Sequence, residues 1–170
     1  MLSAVFHFAD ILRLLDRLKG DRVVADYAIT GAMAANFWDE AVATQDLDVV
    51  VVFSTAPSPL DPLRPIFDLL PEATYPRRGE HVEIAGVPVQ FLAAWSPLVA
   101  RAVRDAYEGP YDPDDAAAPR LRVMTPTHLA AIWQSDAGAL TPRRRERIAR
   151  FRESGLLDEA LLSQLLSEQP

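Results

Sequence analysis

The fold is decided by residues 29–53, ITGAMAANFWDEAVATQDLDVVVVF. The β-branched and aromatic run from Tyr27 to Thr30 predicts a strand that meets Gly31. The small apolar residues 31–38 predict a buried helix packed tightly against a sheet, and the unbroken run LDVVVVF at 47–53 predicts a central strand covered on both faces. A strand, a glycine turn, a short helix and a buried strand in this order indicate an α/β core.

Helices and strands continue to alternate on both sides of this stretch. Apolar side chains at helical spacing predict a helix over residues 3–19. Further along, the sequence predicts a short helix near 66–70, two strands within 81–92, a helix over about 97–107, a surface loop over 108–119, a strand at 121–123, helices that begin at Thr125-Pro126 and Thr141-Pro142, and a last amphipathic helix over about 156–167. We therefore expect a single domain of α/β or α+β class, with a core in residues 1–123 and a helical part in 124–170 packed on it.

Length and composition exclude several classes of protein. The chain has 170 residues, no cysteine and a net charge of −7, so it has no disulfide framework and no thiolate chemistry. Its negative charge argues against nucleic-acid binding by the whole surface. No apolar run is long enough to span a membrane, and charged residues such as Asp10 and Arg13 interrupt the N-terminal stretch that could pass for a signal peptide. We expect a cytoplasmic protein with no membrane segment.

The candidate chemistry lies in a carboxylate pair and a glycine. Asp46 and Asp48 are two residues apart at the start of a strand, so their side chains point to the same face. Two nearby carboxylates repel each other unless a proton or cation lies between them, and Mg²⁺ suits such oxygen ligands. Gly31 would let a phosphate approach the backbone at a helix start. Alternatively, the carboxylates end a strand at a solvated edge and Gly31 is a turn glycine.

Residues 27–53 resemble the nucleotidyltransferase motif of the DNA-polymerase-beta-like superfamily, in which a glycine pair opens a helix and Asp-x-Asp begins the next strand. The variant ATQDLD at 43–48, with MTPTHL at 124–129, is most similar to the abortive-infection (AbiEii/AbiGii) toxin-like nucleotidyltransferases. The resemblance implies a small mixed sheet flanked by helices. It also implies that Asp46 and Asp48 bind one or two Mg²⁺ ions and that Thr30, Gly31 and Ala32 contact the phosphates of a nucleoside triphosphate.

The resemblance also implies a third acidic residue on a later strand, as metal ligand and partner of the attacking hydroxyl. The matching position holds Gln90, which is neutral and cannot act as a base. Glu83 on the preceding strand is the candidate substitute. Ala32 and Trp133 also depart from the family pattern, since a second glycine or serine and a lysine are expected there.

An arginine-rich segment, RRRERIARFR at 143–152, is the one strongly basic stretch. Arg143 and Arg147 fall on one helical face and could contact a triphosphate, an RNA backbone or an acidic partner, or simply lie in solvent. Two functions follow. The first is Mg²⁺-dependent transfer of a nucleoside monophosphate from a nucleoside triphosphate to a protein or RNA hydroxyl. The alternative is a catalytically degenerate nucleotide- or protein-binding member of the same fold, in a toxin–antitoxin-like pair. A structural interaction domain with no ligand also stays open. An exposed apolar stripe on the last helix would suit a homodimer.

Overall fold

The computed structural model of the chain describes residues 2–39, 46–136, 138 and 140–169. Helices and strands alternate in the first part of these ranges, and three helices follow the last strand, as the sequence predicts. In chain order they are α1 (Leu2–Gly20), β1 (Val24–Ile29), α2 (Gly31–Trp38), β2 (Leu47–Phe53), α3 (Arg64–Phe67), β3 (Arg77–Arg78), β4 (His81–Ile84), β5 (Val87–Ala93), α4 (Pro97–Arg104), β6 (Tyr107–Pro110), β7 (Arg120–Val123), α5 (Pro126–Ser135), α6 (Pro142–Glu153) and α7 (Glu159–Ser167). None of these helices is long and apolar enough to cross a membrane.

The strands form one mixed sheet in the order β3-β4-β5-β2-β1-β7-β6. β2 pairs with β1 in antiparallel and with β5 in parallel orientation, so it lies inside the sheet. Val49, Val50 and Val51 are fully buried because side chains on both faces of β2 are covered. The predicted α/β class with a small mixed sheet flanked by helices is therefore confirmed, and LDVVVVF is its central strand.

Helices α5 and α6 begin where the sequence predicts. The hydroxyl oxygens of Thr125 and Thr141 accept hydrogen bonds from backbone N–H groups three residues on, which caps α5 and α6. The apolar stripe of α7 packs in the chain's own core, where Leu162 and Leu165 are buried. That stripe therefore gives no support to a homodimer through the last helix. The division of the domain at residues 123 and 124 stays a prediction.

Two edge strands differ from the sequence-based expectation. The predicted helix over 97–107 ends at Arg104, and the predicted loop over 108–119 begins with strand β6 instead. Gly109 and Pro110 disfavour a strand on local grounds, but proline is tolerated on an edge, where one side of the strand has no partner. Glu108 also binds the side chains of Arg120 and Arg122 on the paired strand β7. Tertiary pairing overrides the local signal here, and the two-residue strand β3 at the other edge was missed for the same reason.

Candidate active site

A polar row crosses the sheet at the start of β2. Asp48 of β2 is the register partner of Gln90 in β5, and Gln90 is the partner of His81 in β4. Residues directly opposite each other on paired strands point to the same face of a sheet. Asp48, Gln90 and His81 therefore lie side by side on one face. Thr30 follows β1 and joins this row, because its backbone N–H donates to the carbonyl oxygen of Asp48 over 2.9 Å.

Gly31 lies directly against the carboxylate of Asp48. Its φ of +64° is in the left-handed region, and a Cβ atom at this position would lie 2.2 Å from Oδ2 of Asp48. No other residue type could bring the backbone so close to this carboxylate. Gly31 also begins α2, and among the described residues the Thr30 side chain caps none of its first amides. The start of α2 therefore keeps the anion-binding character of a helix N-terminus, next to a carboxylate.

The carboxylate pair has the electrostatics of a cation site. Burial raises the pKa of Asp48, and the nearby Asp46 raises it further, whereas His81 and Arg144 act in the opposite direction. Asp46 itself is exposed. A cation between the two carboxylates would remove their repulsion, and Mg²⁺ is commonly held by one or two carboxylates plus substrate phosphates. The pair therefore fits such an ion, although no three His, Cys, Asp or Glu side chains in the described ranges are grouped to hold a metal by themselves.

A cavity of about 150 Å³ opens beside Asp48. Six of the residues that line it are Thr30, Gly31, Asp48, Trp95, Trp133 and Arg144. Trp95 is 61% exposed, which is unusual for the largest aromatic side chain. The Arg144 guanidinium lies 5.7 Å from the ring centre of Trp133, so Trp133 supports a cation at this position where a lysine was expected. The cavity joins an anion-binding helix start, a carboxylate, an arginine and aromatic rings.

The α6 arginines are arranged differently from the helical-wheel expectation. Arg143 is exposed and does not line the cavity, whereas its neighbour Arg144 does. Arg147 is only 6% exposed, and its Nη2 has no hydrogen-bond partner among the described residues. Burial lowers the pKa of Arg147, and the flanking arginines lower it further. Nε of Arg150 lies 2.9 Å from Oδ2 of Asp39, an ion pair that joins α6 to the C-terminal end of α2.

Gln90 and Glu83, the two candidates for the third acidic residue of the family pattern, lie in different surroundings. Gln90 is in the polar row, and its Nε2 donates to Oε2 of Glu80 over 2.8 Å. Glu83 is the register partner of Pro88 rather than of Gln90, and its Oε2 lies 3.3 Å from Nη2 of Arg78. A second cavity, of about 440 Å³, adjoins Gln90 and is lined in part by Glu80 and His81. The structure thus places Glu80, not Glu83, against Gln90.

Sequence reasoning missed Glu80, Trp95 and Arg144. Glu80 follows Gly79 in the turn between β3 and β4, and β3 was not predicted, so nothing placed that turn against β5. Trp95 precedes the N-cap Ser96 of α4, a position that carries no signal of its own. The sequence did contain a signal for Arg144. The cap at Thr141 sets the start of α6, and neighbouring residues of a helix point about 100° apart, so Arg143 and Arg144 face different directions and each was a separate candidate.

Comparison with known proteins identifies the fold. No protein-family model matches the chain, and no curated protein matches it either. A solution structure of the antibiotic-resistance factor ANT(2″)-Ia superimposes with a TM-score of 0.50 at 15% sequence identity, over 94% of this chain and 89% of that one. A crystal structure of ANT(2″)-Ia in complex with adenylyl-2″-tobramycin gives a TM-score of 0.45 at 16% identity, over 94% of each chain. The superposition on the solution structure shows that the chain has a nucleotidyltransferase fold.

Proposed function

We propose that the protein transfers a nucleoside monophosphate from a nucleoside triphosphate to a hydroxyl group, with Mg²⁺ bound by Asp46 and Asp48. The observation that supports the proposal is the contact between Gly31 and Asp48. A helix start that suits an anion and a carboxylate that suits a cation would then both be close enough to contact the same phosphate group. In the reaction the hydroxyl oxygen bonds to the α-phosphorus, the bond from that phosphorus to the bridging oxygen breaks, and pyrophosphate leaves. The hydroxyl proton passes to solvent water. Mg²⁺ would neutralise phosphate charge when bound.

The residues around the first cavity suit the parts of a nucleotide. Backbone amides of Gly31 and Ala32 would bind phosphate oxygens at the start of α2, with Thr30 beside them. Arg144 would neutralise the triphosphate, and Arg147, buried on the same helix, would add to the positive potential around Arg144. Trp95 is an exposed aromatic surface on which a base could stack, a contact worth about 1–3 kcal/mol.

The acceptor and the family placement are also proposals. A protein or RNA hydroxyl stays our proposed acceptor, and relatedness to the abortive-infection toxin-like group would make a cognate partner protein part of the function. One observation favours the alternative, a catalytically degenerate nucleotide- or protein-binding module. Gln90 cannot take a proton from the hydroxyl, and Glu83, the substitute expected from the sequence, is paired with Arg78 instead.

Thermal unfolding in the presence of each nucleoside triphosphate, with and without Mg²⁺, tests the nucleotide site. A ligand at a hundred times its dissociation constant stabilises the native state by about 2.7 kcal/mol. We expect a rise of several degrees in the midpoint with Mg²⁺ and a smaller rise without it. The transfer itself requires a second measurement, the release of pyrophosphate. Stabilisation by a nucleoside triphosphate, without release of pyrophosphate from it in the presence of any tested acceptor, would favour the degenerate module.

Arg144→Ala should weaken nucleoside triphosphate binding, because it removes the guanidinium that lines the cavity beside Asp48. Charge-assisted hydrogen bonds of this type contribute about 1.5–3 kcal/mol, so we expect a rise of roughly ten- to a hundredfold in the dissociation constant. Isothermal titration calorimetry with Mg²⁺ and a non-hydrolysable triphosphate measures the change. Arg143→Ala is the matched control, since it removes an equal charge from an exposed neighbour. Equal weakening by both variants would contradict a direct contact with Arg144.

A further inference from the structure

The hydrogen bond between Gln90 and Glu80 determines which way the Gln90 amide faces. An ionised carboxylate has no proton to donate and can only accept. The 2.8 Å contact with Oε2 of Glu80 therefore requires the NH₂ group of Gln90 on that side. The amide oxygen then points away from Glu80. The hydrogen bond with Glu80 therefore favours one of the two orientations of the Gln90 amide, the one in which its oxygen faces away from Glu80.

The neighbours of Gln90 indicate where that oxygen points. Glu80 directly precedes His81 of β4, the strand on one side of Gln90, and Asp48 of β2 is on the other. Neighbouring strands are about 4.8 Å apart, so Asp48 and Gln90 are within side-chain reach of each other on the same face. With Glu80 on the β4 side of Gln90, the amide oxygen can reach toward β2 and Asp48. Amide carbonyl oxygens, like carboxylates, suit Mg²⁺ and Mn²⁺.

We propose that Glu80 holds Gln90 with its carbonyl oxygen toward Asp48 and that this oxygen completes the cation site in place of a third carboxylate. The inference rests on the proposed function, since the cation is the one that nucleotide transfer requires. It gives Gln90 the role of a neutral ligand and Glu80 that of a positioning residue, whose charge also polarises the amide it binds. Such outer partners of metal ligands typically contribute 10–100-fold to metal affinity.

Glu83 supplies a matched control for Glu80. It is a glutamate on the same hairpin, three residues further along, but it pairs with Arg78 and is opposite Pro88 in the sheet. Removing either glutamate subtracts one negative charge from this edge of the sheet. Only the loss of Glu80 releases the Gln90 amide. A difference between the two variants therefore reports the orientation of Gln90 rather than the general electrostatic potential.

Binding of Mn²⁺ to the full chain, in the presence of α,β-methylene ATP and followed by electron paramagnetic resonance, tests the proposal without any acceptor. We expect Glu80→Leu to lower Mn²⁺ affinity about tenfold and Gln90→Leu at least as much, because one loses the positioning residue and the other the ligand. Glu83→Leu should change the affinity by about twofold or less, since charges at an exposed edge are largely screened. The double variant Glu80→Gln, Gln90→Glu reverses the hydrogen bond and should restore Mn²⁺ affinity to the wild-type value or above it.

Failure of this inference is distinguishable from failure of the proposed function. A wild-type Mn²⁺ site that Asp48→Asn abolishes but Gln90→Leu leaves unchanged would overturn the inference and keep the nucleotidyltransferase proposal. An equal loss of Mn²⁺ affinity in Glu80→Leu and Glu83→Leu would also overturn the inference, because the loss of one negative charge would then explain both results. Absence of any saturable Mn²⁺ site in the wild-type chain would overturn both. Thermal unfolding without Mn²⁺ identifies any variant that fails to fold, and the reversed pair then supplies the decisive comparison.

Discussion

The Asp46→Asn, Asp48→Asn double variant is expected to lose all Mg²⁺-dependent stabilisation by nucleoside triphosphates. With nucleotide at a hundred times its dissociation constant, the free energy of unfolding of the wild-type chain should rise by about 2.7 kcal/mol. That of the variant should rise only by the amount that nucleotide binding without Mg²⁺ contributes. Asparagine keeps the shape of each side chain and removes the charge that holds the cation. Nucleotide transfer should fall below detection for the same reason. Differential scanning calorimetry and pyrophosphate release measure the two effects.

The same variant should be at least as stable as the wild-type chain when no nucleotide is present. Burial and the proximity of Asp46 both raise the pKa of Asp48, so ionised Asp48 disfavours the folded state and a neutral side chain removes that penalty. Replacing two exposed surface carboxylates, Asp61 and Asp68, with asparagine is the control for loss of charge elsewhere. A double variant that still responds fully to Mg²⁺ and nucleotide would eliminate the carboxylate pair as the metal site.

Gly31→Ala is expected to have the second large effect, on both stability and nucleotide binding. An alanine at φ +64° costs about 1–2 kcal/mol from backbone strain alone. Its Cβ would also lie 2.2 Å from Oδ2 of Asp48, so the carboxylate must move and the cation site is distorted. We expect the free energy of unfolding to fall by more than the strain term and the nucleotide response to disappear. Chemical denaturation and the thermal-shift assay measure the two losses.

Two comparisons separate strain from the contact with Asp48. Gly155 has a φ of +68° with no atom within 4 Å of an added Cβ, so Gly155→Ala carries the strain without the clash. In an Asp48→Ala background, Gly31→Ala should cost less than in the wild-type chain, because the clashing carboxylate is gone. Coupling of this kind between residues in contact is typically about 0.5–3 kcal/mol. Additive effects of the two substitutions would show that the contact with Asp48 is not the reason why position 31 requires glycine.

The central part of the fold was predictable because its signals are local. Residues 31–38 and 47–53 are the helix and the strand that the sequence indicates, and the threonine caps at 125 and 141 begin helices as expected. Such features depend on neighbours in the chain: an unbroken β-branched run, a glycine before a small-residue helix, a hydroxyl before a proline. The roles of Asp46, Asp48 and Gly31 remain predictions, but the structure places Asp48 and Gly31 in contact.

The surroundings of position 90 could not be predicted, since they depend on pairing between distant strands. Glu83 was the candidate substitute for the missing carboxylate because it is on the strand that precedes Gln90, yet the register places it opposite Pro88. Glu80 contacts Gln90 because the turn after the short strand β3 brings it there, and two-residue edge strands have almost no sequence signal. A shift of one residue in a strand's register turns every side chain to the other face, so local patterns cannot place such contacts.

Helix α2 makes a specific contact at each of its ends, and these contacts limit changes in the length of the segment between them. Gly31 contacts Asp48 at one end, and at the other end Asp39 is paired with Arg150 of α6. Eight helical residues span about 12 Å, and inserting one more would turn everything beyond it by about 100°. A single-codon insertion or deletion between these two anchors would therefore break one of them. Related genes should vary in length outside residues 31–39 far more readily than within them.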